Sequence, residues 1–222
     1  MQKLTDELNV EAEEVLVAPK LGGLNKKLNE ESWNSDMEDL MKMWGEKAAG
    51  LRFMHSNASS YWTGLSNKLT VASIFITTLA STASLVSTSI AEEHKNTVLY
   101  AVGIIAVISS LMQSMKKFYN AEEKAAEHGA VAKQFGSFYR FMTLQLGMGR
   151  CDRIPADQLC DWALKEYERL QQDALPLGSD QIDLYKRKFS NSEQAVPDVC
   201  EDEFIINIYH DKKKVEVVKS QV

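Results

Sequence analysis

The residues best suited to chemistry are two histidines, His55 and His128, the second preceded by Glu127. Imidazoles beside a carboxylate can ligate a metal or relay a proton. A metal site usually takes three or four ligands, so the pair reads as hydrogen-bonded structural histidines, with a metal or proton site as the alternative. Cys151, Cys160 and Cys200 match no zinc or redox spacing and read as reduced cytosolic thiols. The acidic pairs Glu38-Asp39 and Glu122-Glu123 read as solvated helix faces. No Gly-rich phosphate loop, nucleophile elbow or HExxH helix occurs in the sequence. The expectation is a protein without catalytic residues, cofactor or metal.

A second kind of chemistry lies in hydroxyl groups. Leu69 to Ala91 is a run of 23 residues without a charge, and ten of them are Ser or Thr. Thr70, Ser73, Thr77, Ser81, Ser84 and Thr88 step by three or four residues, which places them on one helical face. Hydroxyls on such a face can bond back to the preceding turn and pack against a neighbouring helix. In an oligomer they can instead line a wet pore and hydrate permeating ions without a buried charge. Thr97 to Met115 is a second uncharged run, of 19 residues, with small residues at Gly103, Ala106, Ser110 and Ser114 where another backbone can come close.

The elements that must position these groups follow from length. As helices the two runs span roughly 34 Å and 28 Å, enough for a hydrocarbon core. Glu92 to Asn96 between them is long enough only to turn the chain back, so the reading is a transmembrane hairpin with spans at about 69–91 and 97–115. A buried helix of a soluble bundle is the other reading of the Ser/Thr-rich run. Before the hairpin, Met37, Leu40, Trp44, Ala48, Leu51, His55, Ala58, Trp62 and Leu65 recur at helical steps from a start at Ser35. After it, Ala121, Ala125, His128, Ala132, Phe135, Tyr139, Met142 and Leu146 do the same, in a stretch free of Pro from Met115 to about Leu146. The hairpin brings these two helices together as an antiparallel stalk. His55 lies 13 residues from Lys68 and His128 lies 12 from Lys116, so both stand at one height above the spans.

The chain thus divides into an acidic lead-in (1–34), a two-span helical domain (35–188) and a polar tail (189–222). Pro155 opens a helix carrying Leu159, Trp162, Ala163, Tyr167 and Leu170, and a shorter helix covers about 179–189. The β-prone runs 204–209 and 215–218 predict a hairpin in the tail. The fold class is an all-α membrane protein. A net charge of −6 and the lack of a basic stripe exclude a nucleic-acid partner. Lys68, Lys116 and Lys117 against Lys95 with two glutamates place both termini in the cytosol.

His55-Ser-Asn-Ala-Ser-Ser-Tyr-Trp62 before the first span, Phe118 to His128 after the second, and Ala132 to Arg140 together resemble the SLATT superfamily of two-transmembrane proteins, over roughly residues 35–188. The matched positions are His55, Ser59, Tyr61, Trp62, Glu122, Ala126, His128, Gly136, Tyr139 and Arg140. The resemblance implies a membrane effector that assembles as a homo-oligomer into a pore. A structural or scaffolding membrane protein, such as a virion membrane component, is the competing expectation. In either case the partners are the lipid bilayer and further copies of the chain, with a protein partner engaged through 190–222. The lead-in and the tail fall outside the resemblance, and no sensor domain is fused.

Overall fold

The computed structural model describes residues 26–87 and 92–201. Their helices are α1 (residues 26–32), α2 (Ser35–Ser87), α3 (Glu92–Tyr119), α4 (Ala121–Gly147), α5 (Ala156–Asp173) and α6 (Ser179–Phe189), with 3-10 turns at Arg150–Asp152 and Asp198–Cys200. The described residues contain no strand. The hairpin expected over 204–218 lies outside them.

Helix α2 is the axis: 53 residues without a proline, about 80 Å long at the helical rise. Its start is set by Asn34, whose Oδ1 accepts the Met37 N–H at 2.8 Å, so the cap is Asn34 rather than Ser35. Helix α4 lies antiparallel along its first half and α3 along its second. The second apolar run and the helix after it are not one unbroken element, as their patterning suggests. Asn120 adopts left-handed dihedrals (φ 45°, ψ 41°) and separates α3 from α4. Asn is among the few residues that accept this conformation, so no Gly or Pro announces the break. The expected turn is also displaced: Glu92 to Asn96 belong to the start of α3.

The core sits where α2 and α4 meet α5 and α6. Met41, Ala48, Leu51 and Met54 of α2 interlock with Val131, Phe135, Phe138 and Met142 of α4, and Leu159, Ala163 and Leu170 of α5 close one side. Trp162 of α5 is 40% exposed but stacks on Phe138 with ring centroids 5.6 Å apart. Contacts cross both drawn boundaries of the central domain. Trp33, placed in the lead-in, is 3% exposed and donates its indole N–H to the Ile154 carbonyl at 3.0 Å. The first part of the tail also returns to α2: the Ala195 N–H reaches Glu46 at 2.8 Å, Lys47 binds Asp198 and Glu201, and Pro197 packs so closely on Gly50 that any Cβ there would collide. Glu38 is not a solvated face either. It receives Arg150 Nη2 at 2.7 Å and a second guanidinium from Arg153, and these hydrogen bonds hold its carboxyl at about 2.

Two outcomes follow from this packing. Trp33→Ala removes a buried aromatic and its hydrogen bond, and its unfolding free energy should fall by about 3–5 kcal/mol, read by thermal or chemical melting in detergent. Because Glu38 titrates below its ordinary value, its contribution is complete above pH 4.5 and is lost as pH falls towards 2. Glu38→Gln should therefore cost about 1 kcal/mol at pH 7 and progressively less below pH 4.

Candidate functional site

Past Trp62 the character of α2 changes, and the seam with α3 opens into a groove that hydroxyls, Gln113 and two lysines join. The α3 side of the seam is Val98, Val102, Ile105, Ser109, Met112 and Lys116, an alternation of three and four residues that keeps one stripe towards α2. Facing it on α2 are Ser66, Leu69, Ser73, Ile76, Ala80 and Ala83, each buried or half-buried. Thr77 Oγ1 and Ser109 Oγ lie 3.1 Å apart across the seam, and Gln113 Nε2 donates to Ser109 Oγ at 3.4 Å. Ser109 is 6% exposed amid apolar neighbours, so this contact satisfies a hydroxyl that would otherwise be costly to bury. The groove holds about 650 Å³ and runs down to Lys116, Lys117 and Asn120.

The hydroxyl stripe of the sequence does not stay together. Thr70 and Ser73 are half-buried towards the seam and Thr77 joins it through Ser109, whereas Ser81 and Ser84 are exposed. Thr88 lies outside the described residues. The small-residue stripe of α3 is corrected more sharply as an intrachain seam. Gly103, Ala106, Ser110 and Ser114 all face away from α2, and a side chain built at Gly103 would meet nothing within 4 Å. The step that marks the real seam was present in the sequence at Val102, Ile105, Ser109 and Met112. It is hidden because α3 is apolar on every side, and apolar periodicity then has no contrast.

The stalk positions fall into two groups. His55 and His128 are 1% and 4% exposed, and their Nδ1 atoms lie 2.9 Å apart. One ring must therefore donate from Nδ1 and the other accept there. Phe135 stacks on His55 at 5.9 Å. Ser59 donates to the Ala125 carbonyl at 2.8 Å, and Gly136 admits the Arg52 side chain, so these four positions tie α2 to α4. Trp62 is half-buried beneath the Lys124 ammonium, 4.6 Å from its ring centre, and Tyr139 is half-buried. Tyr61, Glu122, Ala126 and Arg140 are exposed. Among the described residues no group of three His, Cys, Asp or Glu side chains is placed to hold a metal ion.

Burial, and then the charge of His128, push the His55 imidazole down to about 4; burial lowers His128 too, against the pull of Glu127 and with the push of Lys124. Both rings are neutral at pH 7. A depressed histidine contributes stability that is complete above its unfolded value of about 6.5 and is lost as pH falls towards 4. Wild-type melting temperature in detergent should therefore drop between pH 6.5 and 5, a window above the titration of Glu38. His55→Phe should flatten that slope, and an unchanged slope would remove the pair as its source.

No family model, curated protein or solved structure matches this chain.

Proposed function

We propose that the chain is a membrane-embedded two-helix protein, without catalytic activity, that assembles with further copies of itself and conducts in the assembled state. One observation carries the membrane half of this reading. Along α2 and its partners α3 and α4, large apolar side chains are buried on one side of the level of Trp62 and turned outwards on the other. Phe135 is 0% exposed, whereas Phe75 is 65% and Ile104 is 62% exposed, in company with Ile74, Leu99 and Val107. Two helices are long and apolar enough to cross a membrane, with mean hydropathies of 1.3 and 1.9 over their richest windows. A face of this size and chemistry suits lipid rather than water.

Assembly is supported by the outward Gly103, Ala106, Ser110 and Ser114 row, which lets another helix approach closely where the chain's own α2 does not. Conduction is supported by Ser81 and Ser84, exposed hydroxyls within an uncharged segment, and by the SLATT resemblance of the flanking residues. On this reading both termini are cytosolic. A second reading, a membrane scaffold, draws on the Thr77–Ser109 contact, which spends hydroxyls on holding the hairpin together.

The two readings separate in liposomes. The purified full-length protein should release an entrapped dye or ion, and Thr77→Val, Ser81→Val and Ser84→Val combined should reduce that leakage about tenfold or more by making the lining prone to dewetting. Equal leakage from the triple variant would remove this face as the pore. No leakage from the wild type, with a stable oligomer in detergent, would favour the scaffold.

A further inference from the structure

The contact between α2 and α4 is uneven along its length. From Phe135 onwards, α4 buries Phe135, Phe138 and Met142 in the main core beside α5. Over its first turns, between Asn120 and Phe135, its buried residues are Ala121, Ala125, His128, Val131 and Ala132. Alanines dominate, so little apolar area leaves water there and little hydrophobic free energy holds these turns to α2. Polar ties carry this part of the seam. Ser59 donates to the Ala125 carbonyl at 2.8 Å, and His55 and His128 meet Nδ1 to Nδ1 at 2.9 Å. Next along the chain stands the break at Asn120, through which α3 is attached.

Two imidazoles at this distance can share one proton along the Nδ1–Nδ1 line and no more. With both rings charged, two N–H groups would point at each other inside a buried seam. The surroundings offer little relief. On α4, Glu127 and Lys124 act on His128 in opposite senses. On α2, Arg52 lays its side chain over Gly136, and on α5 Tyr167 meets Phe135, which stacks on His55. In the 195–201 segment Cys200 packs on Met54, while Asp198 and Glu201 are committed to Lys47. Helix α6 reaches α2 at Gly50 and Phe53 through Tyr185 and Lys188, on a different face. Among the described residues neither ring is hydrogen-bonded to a carboxylate.

We propose that the His55–His128 pair is a proton-operated latch: when both rings take up a proton, the first turns of α4 part from α2 while residues 135–146 stay packed. Its ligand is the proton itself. Because α3 hangs on those turns through Asn120, release of the latch also frees α3 from its fixed relation to α2. The latch lies in the stalk and requires neither a membrane nor conduction. Its sign follows from the rings: parted, both meet water and titrate near 6.5, whereas closed, His55 is held down to about 4. Between pH 7 and pH 5 the parting equilibrium therefore shifts roughly twentyfold if one ring is charged and several hundredfold if both are.

Two tryptophans report on the two parts of the stalk. Trp62 lies beneath Lys124 in the part that should open, and Trp33 is buried in the part that should not. In the full-length protein labelled with 5-fluorotryptophan and held in a nonionic detergent, their fluorine resonances are assigned through Trp62→Phe and Trp33→Phe. Between pH 7 and pH 5 the Trp62 resonance should shift or split, with populations moving roughly twentyfold or more, while Trp33 stays in place. His55→Asn with His128→Asn keeps a polar contact that does not titrate, and should hold Trp62 at its pH 7 position. A Trp62 resonance that does not move overturns the latch, as does one that moves together with Trp33 or still moves in the asparagine pair. Hydrogen exchange of the wild type, with labelling times scaled for the pH dependence of the chemistry, decides the matter without any variant. Protection lost over 121–132 and kept over 135–146 supports the latch, and an equal loss or none overturns it.

Discussion

The molecule depends on α2 remaining one helix while its surroundings change. A helix of 53 residues has no intrinsic means of staying in a fixed relation to the rest of the chain, because the stability of helices in proteins comes mainly from tertiary packing. Here that packing is the close approach of α2 and α4, built from alanines, Ser59, Gly136 and the two histidines that meet at 2.9 Å. The contact fixes the register of α4. Through the single left-handed residue Asn120 it also fixes the direction in which α3 leaves for the groove. Helices α5 and α6, Trp33 and the 195–201 segment all pack on the same half of α2, so among the described residues the other half is left to α3.

Much of this arrangement was legible in the residues. The two apolar runs, the long helix from Ser35, the helices after Pro155 and Ser179, and the common height of His55 and His128 follow from period and count. What escaped did so for identifiable reasons. Trp33 stands outside any periodic run, and its burial is created by Ile154, 121 residues away. Pro197 and Cys200 belong to a stretch whose polarity reads as tail, yet two acidic residues there find Lys47. The Asn120 break leaves no trace in hydrophobic period, because the seam continues from α3 into α4.

The orientation of α3 was the hardest feature to read and matters most for the site. Small residues suggested that Gly103, Ala106, Ser110 and Ser114 face α2, whereas the structure seats Ser109 there and bonds it to Thr77. A buried hydroxyl can outweigh small side chains as a seam marker, since it needs a partner and Thr77 of the antiparallel helix lies within reach. Burial of Ser109 turns the small row outwards as a geometric necessity, for the two sets lie on different sides of one helix.

The hydroxyls and the lysines also constrain one another. Thr78, Thr82 and Ser114 donate to carbonyls four residues back, at 2.8, 2.9 and 3.0 Å, so their protons are committed and their lone pairs point away from the helix. Wherever such a group meets water it offers an acceptor, and acceptors favour cations. Two ammonium groups, Lys116 and Lys117, at the end of the groove that Thr78 lines oppose a cation by direct repulsion, poorly screened where water is scarce.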